Sequence, residues 1–310
     1  MSQGGDFRQE ALAAIADRYH IPIDDVVPAP ILGAANHVYF LGDHLVVRIP
    51  RGGGARLAEL AKEATVIPVA RRAGVRTPAV VTYDDSCTVV NVPYLVIERV
   101  RGRDLAALGT SPSEAADAYR DVGQSLARLH GLTRELVGSL PGLHVHEPDD
   151  PHATVDQLAS AGSIDLETAQ WLLEWLDRLE EWRPADVEPV IVHGDASPTN
   201  VVVDADSPDV ASLVDWGDAA WADPAVDFAK LPLRAVPFAL EGYAAALSGR
   251  ERREAIHEWS ARVLWYHLSW ALAALRQPGG HNRTSPSADR LLEMLRFFAE
   301  SPPSPWPSLV

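Results

Sequence analysis

Asp195, Asn200 and Asp215 lie within one stretch, HGDASPTNVVVDADSPDVASLVDWGD, and give a chain of 310 residues two carboxylates and a carboxamide at close spacing. An oxygen-rich set with so few protein ligands suits Mg²⁺, which keeps several waters and is usually completed by substrate phosphates rather than by a full protein cage. The flanking runs indicate how these side chains meet. Val190–Val192 is a short β-branched run feeding a polar turn that contains Pro198, and Val201–Val203 is another, stopped by DADSPD. The apolar run 211–214 then delivers Asp215 at a strand end. This pattern predicts strand, loop, strand, with all three residues at one edge of a small sheet. HGD or DWG alone reads as an ordinary acidic turn; both together, in this order and at this spacing, point to a catalytic site.

HGDxxxxN followed by DWG resembles the catalytic and metal segments of the aminoglycoside phosphotransferase family, small-molecule kinases that share the protein-kinase fold; protein kinases carry HRDxxxxN and DFG at the same places. The resemblance implies a two-lobed α+β fold, with a small N-terminal antiparallel sheet lobe and a larger, mostly helical C-terminal lobe. It implies ATP or GTP as phosphate donor and a hydroxyl of a small molecule as acceptor. Asp195 would be the base that orients and deprotonates that hydroxyl, and Asn200 and Asp215 would hold Mg²⁺. The later ADPAVDFA, with Asp223 and Asp227, is similar to the family's DPxxDxA element and is expected to support the catalytic loop.

The same resemblance assigns the nucleotide site. Arg48, in LVVRIP, stands where the fold places a strand-borne lysine. A planar guanidinium keeps the electrostatic role toward phosphate but with different geometry. Its acidic partner is Glu63 on the following helix, with Glu59 one turn earlier as the competing choice. LGAANH occupies the place of the phosphate-covering loop, yet holds one glycine rather than GxGxxG. Backbone N–H groups of Ala34, Ala35, Asn36 and His37 are expected to face phosphates, and a plain hairpin is the alternative. Residues 98–102 would be the hinge between lobes 1–97 and 103–310. Backbone groups of Glu98 and Val100 would bind the base edge there, with Ile97 guarding the pocket.

The elements that must position these residues follow from periodicity. A helix is expected over 7–19, then strands PAPIL, HVYFL and LVVRI with a turn at Gly42 and Asp43, a helix over 57–72, and strands within VRTPAVVTY and PYLVIERVRG. Further helices are expected over 113–130, capped by Ser113, and over 167–182, 239–247, 255–275 and 287–300. HVHEPDDPHATVDQL, with three histidines, fits no defined metal-ligand spacing and reads as a loop at the mouth of the acceptor pocket.

Composition bounds the class. Hydrophobic residues make up 47%, no run reaches the ~18 to 20 apolar residues of a membrane span, and MSQGGDFRQE lacks the regions of a signal peptide, so a soluble cytoplasmic protein is expected. A single cysteine, Cys87, excludes an intramolecular disulfide and a cysteine-based zinc site. A net charge of −16 argues against nucleic acid and serves either solubility or a cationic partner. No protein partner is implied.

The acceptor is left open between two antibiotic classes. A polycationic aminoglycoside would need carboxylates, for which residues 147–150, Glu241, Glu258 and Glu293 are candidates. A macrolide would need an apolar pocket, for which Trp265, Tyr266 and Trp270 are candidates, and VVRIPRG, WLLEWLDRLEEW and VLWYHLSWALAAL resemble the macrolide branch. Against that branch, Asn200 stands where it usually has histidine. A metabolic kinase for a choline- or fructosamine-like acceptor and a noncatalytic binding protein are the other readings. The presence of Asp195, Asn200 and Asp215 together speaks against the latter.

Overall fold

Alternation along LVVRIP decides how the N-terminal lobe is built: Val47 and Ile49 turn to one face of a sheet, Val46 and Arg48 to the other. The computed structural model describes residues 3–30, 35–183, 187–204, 210–247, 251–276 and 289–310, with the backbone alone for 3–8, 251–255 and 257. The lobe runs α1 (Gln3–Arg18), β1 (Val26–Pro28), β2 (Asn36–Leu41), β3 (Leu45–Pro50), α2 (Ala55–Arg72), β4 (Val80–Asp84) and β5 (Tyr94–Glu98). Its five strands are antiparallel in the order β1-β2-β3-β5-β4. Ile15 of α1 packs with Leu41, Val47, Tyr94 and Val96 on one face. Leu60 of α2 packs with Val46, Leu95 and Ile97 on the other. Because Arg48 registers with Leu95 and Val46 with Ile97, Arg48 and Ile97 share the α2 face.

The larger lobe continues with β6 (Arg103–Asp104), α3 (Ala116–His130), α4 (Arg134–Val137), α5 (Pro151–Ser160), α6 (Leu166–Glu180), β7 (Val190–Val192), β8 (Val201–Val203), β9 (Val210–Leu213), β10 (Ala220–Ala222), α7 (Ala225–Phe228), α8 (Val236–Ala246), α9 (Glu251–Arg276) and α10 (Asp289–Ala299). Its main core joins Val122 and Leu126 of α3 to Ile191, Phe228 and Trp265. Side chains of that size each contribute about 1.5–3 kcal/mol when removed from water. Helices α3 and α8 cross with their backbones almost touching. A Cβ at Gly123 would stand 1.9 Å from the Ala239 carbonyl oxygen and one at Gly242 2.0 Å from that of Arg120, so only glycine fits either place.

Several expectations are corrected. HVHEPDDPHATVDQL is not one loop. The Asp150 carboxylate caps the His152 and Ala153 N–H groups and Pro151 occupies the first turn, so α5 begins inside it. Ser113 caps nothing on α3: it lies in a turn closed by Ser111 and Glu114, and the helix begins at Ala116. The first strand is Val26–Pro28 rather than PAPIL, whose last two residues lie outside the described residues. The helix expected over 167–182 is α6, which ends at Glu180; along it Trp175 is core and donates to the Leu309 carbonyl, while Trp171 and, beyond its end, Trp182 are exposed. Among the described residues, no helix is long and apolar enough to cross a membrane.

Candidate active site

Strand β7 ends at Val192 and leads into His193, and Gly194 turns the chain at φ +81°. A Cβ there would lie 2.1 Å from the Asp218 carbonyl oxygen, so this turn needs glycine. The backbone N–H groups of His193 and Gly194 both donate to the Asp227 carboxylate at 2.8 Å. His130 Nε2 meets the same carboxylate at 3.0 Å, and its Nδ1 lies 3.3 Å from the Tyr243 hydroxyl. Burial alone would raise the Asp227 carboxyl, but the hydrogen bond to His130 and the attraction of the His130 and His193 imidazoles and the His193 N–H outweigh it and hold it below its usual range. His193 Nδ1 accepts the Asp195 N–H at 3.3 Å, so its proton sits on Nε2, which donates to the Val214 carbonyl at 3.1 Å. The imidazole packs on Trp216, ring centres 4.5 Å apart, and the buried indole donates to Thr77 Oγ1 at 2.9 Å. Asp223 forms a buried ion pair with Arg262 of α9.

This scaffold presents the predicted triplet as a connected group. Asn200 Nδ2 donates to both the carbonyl and Oδ2 of Asp195, each at 2.9 Å, and the Val214 N–H donates to the Asn200 carbonyl at 2.9 Å. Asp215 is exposed and held at φ +67°, a left-handed conformation that Asp and Asn tolerate better than most residues. With its amide nitrogen engaged by Asp195, Asn200 offers its oxygen, and Asp215 offers a carboxylate. The donor set is all oxygen and half solvated, which fits Mg²⁺.

Arg48 is tied to this group from the other lobe. Its Nη1 donates to Glu63 Oε2 at 2.5 Å and to Asp215 Oδ1 at 3.3 Å, while its buried Nε has no partner among the described residues. The choice between the two acids is decided for Glu63, since Glu59 instead lies 3.6 Å from Arg56. Burial pushes the Glu63 carboxyl up to about 7, against the pull of Arg48 and with a further push from Asp215. Ile97 is buried on the same sheet face as Arg48.

The remaining nucleotide-site expectations fare unevenly. The Glu98 N–H donates to Ala79 and the Glu98 carboxylate accepts from the Ala79 N–H, both at 2.9 Å. Its carbonyl is therefore the group that can serve a base edge, beside partly exposed Val100. Asn36 and His37 belong to β2, registered with Pro50 and Ile49, rather than to a loop, and only Ala35 lies in the connection. Ala34 lies outside the described residues.

On the acceptor side most of the candidate residues are engaged within the fold. Glu241 binds Arg120 at 2.9 Å, Glu258 binds Arg262 at 3.2 Å and Glu293 binds Arg234 at 3.0 Å, so arginines of this chain already neutralise these carboxylates. Trp265 and Tyr266 are fully enclosed in the core, and only Trp270 reaches a cleft. His144 and His146 flank Trp221 through backbone bonds, whereas His152 meets Asp177 and Glu180 in an exposed cluster of a kind common without an ion. What the sequence reading missed is cationic: Lys230 and Arg290 line the cleft beside the catalytic loop. A signal was available, since the chain has only two lysines, Lys62 and Lys230.

A small antiparallel sheet lobe joined to a helical lobe, with a loop-borne carboxylate and amide beside a strand-borne arginine, defines a kinase-like phosphotransferase. The chain belongs to the phosphotransferase enzyme family, whose sequence model matches residues 28–259. A 20% identical solved structure, the GDP complex of an aminoglycoside 2′-phosphotransferase-IIIa mutant, superimposes with a TM-score of 0.67 over 93% of this chain and 97% of that one. Macrolide 2′-phosphotransferase MphH from Brachybacterium faecium gives 0.60 at 20% identity over 86% and 90%. A choline/ethanolamine kinase family protein from Mesorhizobium loti gives 0.57 at 20% identity over 95% and 94%. Among curated sequences, acyl-CoA dehydrogenase family member 11 of Homo sapiens is 27% identical over 187 residues, 57% of this chain, and the match spans 24% of that relative's length.

Proposed function

We propose that this phosphotransferase is a small-molecule kinase that moves the γ-phosphoryl group of ATP or GTP to a hydroxyl. One observation carries the reading: a continuous set of hydrogen bonds runs from Glu63 through Arg48 to Asp215, and another from Val214 through Asn200 to Asp195. A phosphate-binding cation, two metal-binding oxygens and a base are thereby held in two hydrogen-bonded sets that meet where Val214 precedes Asp215 in the chain. Residues 1–97 form the nucleotide lobe, 98–102 the hinge and 103–310 the acceptor lobe. The Glu98 carbonyl and Val100 N–H take the base edge beside Ile97, and Ala35, with Asn36 and His37 at the start of β2, lies nearest the phosphates.

Asp195 accepts the acceptor's O–H proton as the oxygen bonds to Pγ. The bond from Pγ to the β,γ-bridging oxygen breaks with its electron pair leaving on the nucleoside diphosphate, and the proton passes from Asp195 to water. Asn200 holds the Asp195 carboxylate in line, and Arg48, with its uncommitted donors, binds phosphate oxygens. Bound by Asn200 and Asp215, Mg²⁺ would neutralise charge on the phosphates. Catalysis is positioning plus electrostatics.

Antibiotics of the macrolide or aminoglycoside class, with resistance as the consequence, are the first acceptors to screen; hydroxylated amines or sugars resembling choline or fructosamine come second. The test is nucleotide consumption across such a panel, repeated with Asp215→Ala and with Asn200→Ala. Turnover should require Mg²⁺, with Asp215→Ala abolishing metal-dependent nucleotide binding and Asn200→Ala weakening it less, because a charged ligand is lost in one case and a neutral one in the other. Metal dependence unchanged in Asp215→Ala would defeat the assignment.

A further inference from the structure

The cleft next to the catalytic loop has the wrong charge for a polycation. It spans about 410 Å³ and is lined by Pro198 of that loop together with Lys230, His267, Arg290 and Arg296; of its two carboxylates, Glu293 is already bound by Arg234 and Asp289 is exposed, so three cations face one uncommitted acid. A ligand-sized volume is reached. Lys230 also lines the adjoining cavity with Gly194, Asp218 and Trp270, so it bridges the two spaces on either side of the catalytic turn. Its ammonium lies 4.7 Å from the centre of the Trp270 ring, and the Arg290 guanidinium lies 5.0 Å from the same ring. Neither cation forms an ion pair with a carboxylate among the described residues; Arg290 donates through Nη1 to the Ala229 carbonyl at 3.1 Å, which leaves its other donors for a ligand, and it is within electrostatic reach of Asp195. His267 adds an Nε2 that has no partner among the described residues and is almost wholly buried in the cleft wall.

Two cations over one indole, in a protein of net charge −16, are a costly arrangement unless an anion completes it. An acceptor ammonium would be repelled by the same pair. We infer that the acceptor is a hydroxylated molecule carrying a carboxylate or a phosphate, bound by Lys230 and Arg290 over the Trp270 ring with its hydroxyl toward Asp195. This inference rests on the phosphoryl-transfer reading only for calling the bound molecule an acceptor. The anionic group gains charge-assisted hydrogen bonds from the lysine and the guanidinium fork, and Trp270 offers an apolar floor for the carbon skeleton.

Four matched probes separate the possibilities: 6-hydroxyhexanoate, 6-hydroxyhexyl phosphate, 6-hydroxyhexanamide and 6-aminohexanol. Each is titrated by calorimetry into the full chain saturated with a non-hydrolysable nucleotide and Mg²⁺. At least one anionic probe should bind about tenfold or more tighter than the amide, and the amine should bind weakest. Comparing carboxylate with phosphate identifies which anion the site prefers. Lys230→Met, which keeps the aliphatic contact with Trp270, should erase most of the anion preference while nucleotide affinity stays unchanged; Lys230→Glu should favour the amine. Equal binding of acid and amide, tighter binding of the amine, no binding of any probe, or an anion preference that survives Lys230→Met overturns the inference. Anion binding as expected, without nucleotide consumption that depends on Asp195, would instead defeat the kinase reading and leave the anion site standing.

Discussion

The segment 190–227 and the helical wall formed by α9 and α10 adjoin the same cleft, yet they are built on opposite terms. In the segment, polar groups are served mainly from within the segment itself: Asn200 by Asp195, His193 by Val214, and the His193 and Gly194 N–H groups by Asp227. In the wall, the carboxylate of Glu293 on α10 is matched by Arg234 of the turn before α8, 59 residues away. A network contained in one segment keeps its geometry through that segment's own bonds, whereas a pair that joins separate segments depends on how they pack.

The strongest way to break this contrast is Asp195→Ala. Turnover should fall by about 10²–10⁴-fold, the usual contribution of a general base, while nucleotide affinity changes little. Steady-state rates and a nucleotide titration on the same preparation check it, and near-normal turnover would remove Asp195 from the mechanism.

Asp227→Ala should act on the fold rather than on a ligand. It leaves His130 and two backbone N–H groups buried without their acceptor, a loss of about 3–5 kcal/mol by denaturant unfolding. Because the Asp227 carboxyl is held below its usual range, its contribution is complete above the ordinary carboxylate pKa and is lost as pH falls through the lower folded value. Wild-type stability should therefore drop at acid pH, and Asp227→Asn should show less of that drop.

Glu63 sharpens the contrast through pH, since its carboxyl titrates near 7. Below that pH it is protonated and its charge no longer holds Arg48, so kcat/KM should decline as pH falls through about 7. Glu63→Gln should lower the plateau and flatten that limb. Stability carries the opposite sign. A carboxyl raised from its ordinary 4.5 to about 7 binds its proton more tightly in the fold, so its ionisation withdraws stability as pH rises across that window. Unfolding curves at several pH values, with and without Glu63→Gln, test both signs.

The smallest effect belongs to Glu241, which the sequence offered as an acceptor carboxylate and which the structure pairs with a half-exposed Arg120. Glu241→Gln should cost no more than about 1 kcal/mol and leave acceptor KM unchanged at any salt concentration. A marked rise in KM would return the polycation reading to that helix.

The catalytic stretch was legible because its residues are close in sequence and its chemistry demands particular types: HGD, the asparagine five residues after the aspartate, DWG, and valine runs that can only be strands. The sheet lobe was legible for a similar reason, since alternation along LVVRIP already separates Arg48 from the core face. The choice of Glu63 over Glu59 was not, because both sit near one face of α2 and only the angle of that helix across the sheet decides which carboxylate reaches Arg48. The acceptor wall was least legible. An unpaired glutamate and one matched by an arginine more than fifty residues away look the same in a sequence, as do a tryptophan in the core and one in a cleft. Periodicity along a helix gives its buried stripe but not what that stripe meets. Trp265 therefore reads as a pocket residue until α9 is placed in the core. Lys230 and Arg290, sixty residues apart, become a pair only when α10 packs back beside the turn after α7 and sets both cations over Trp270.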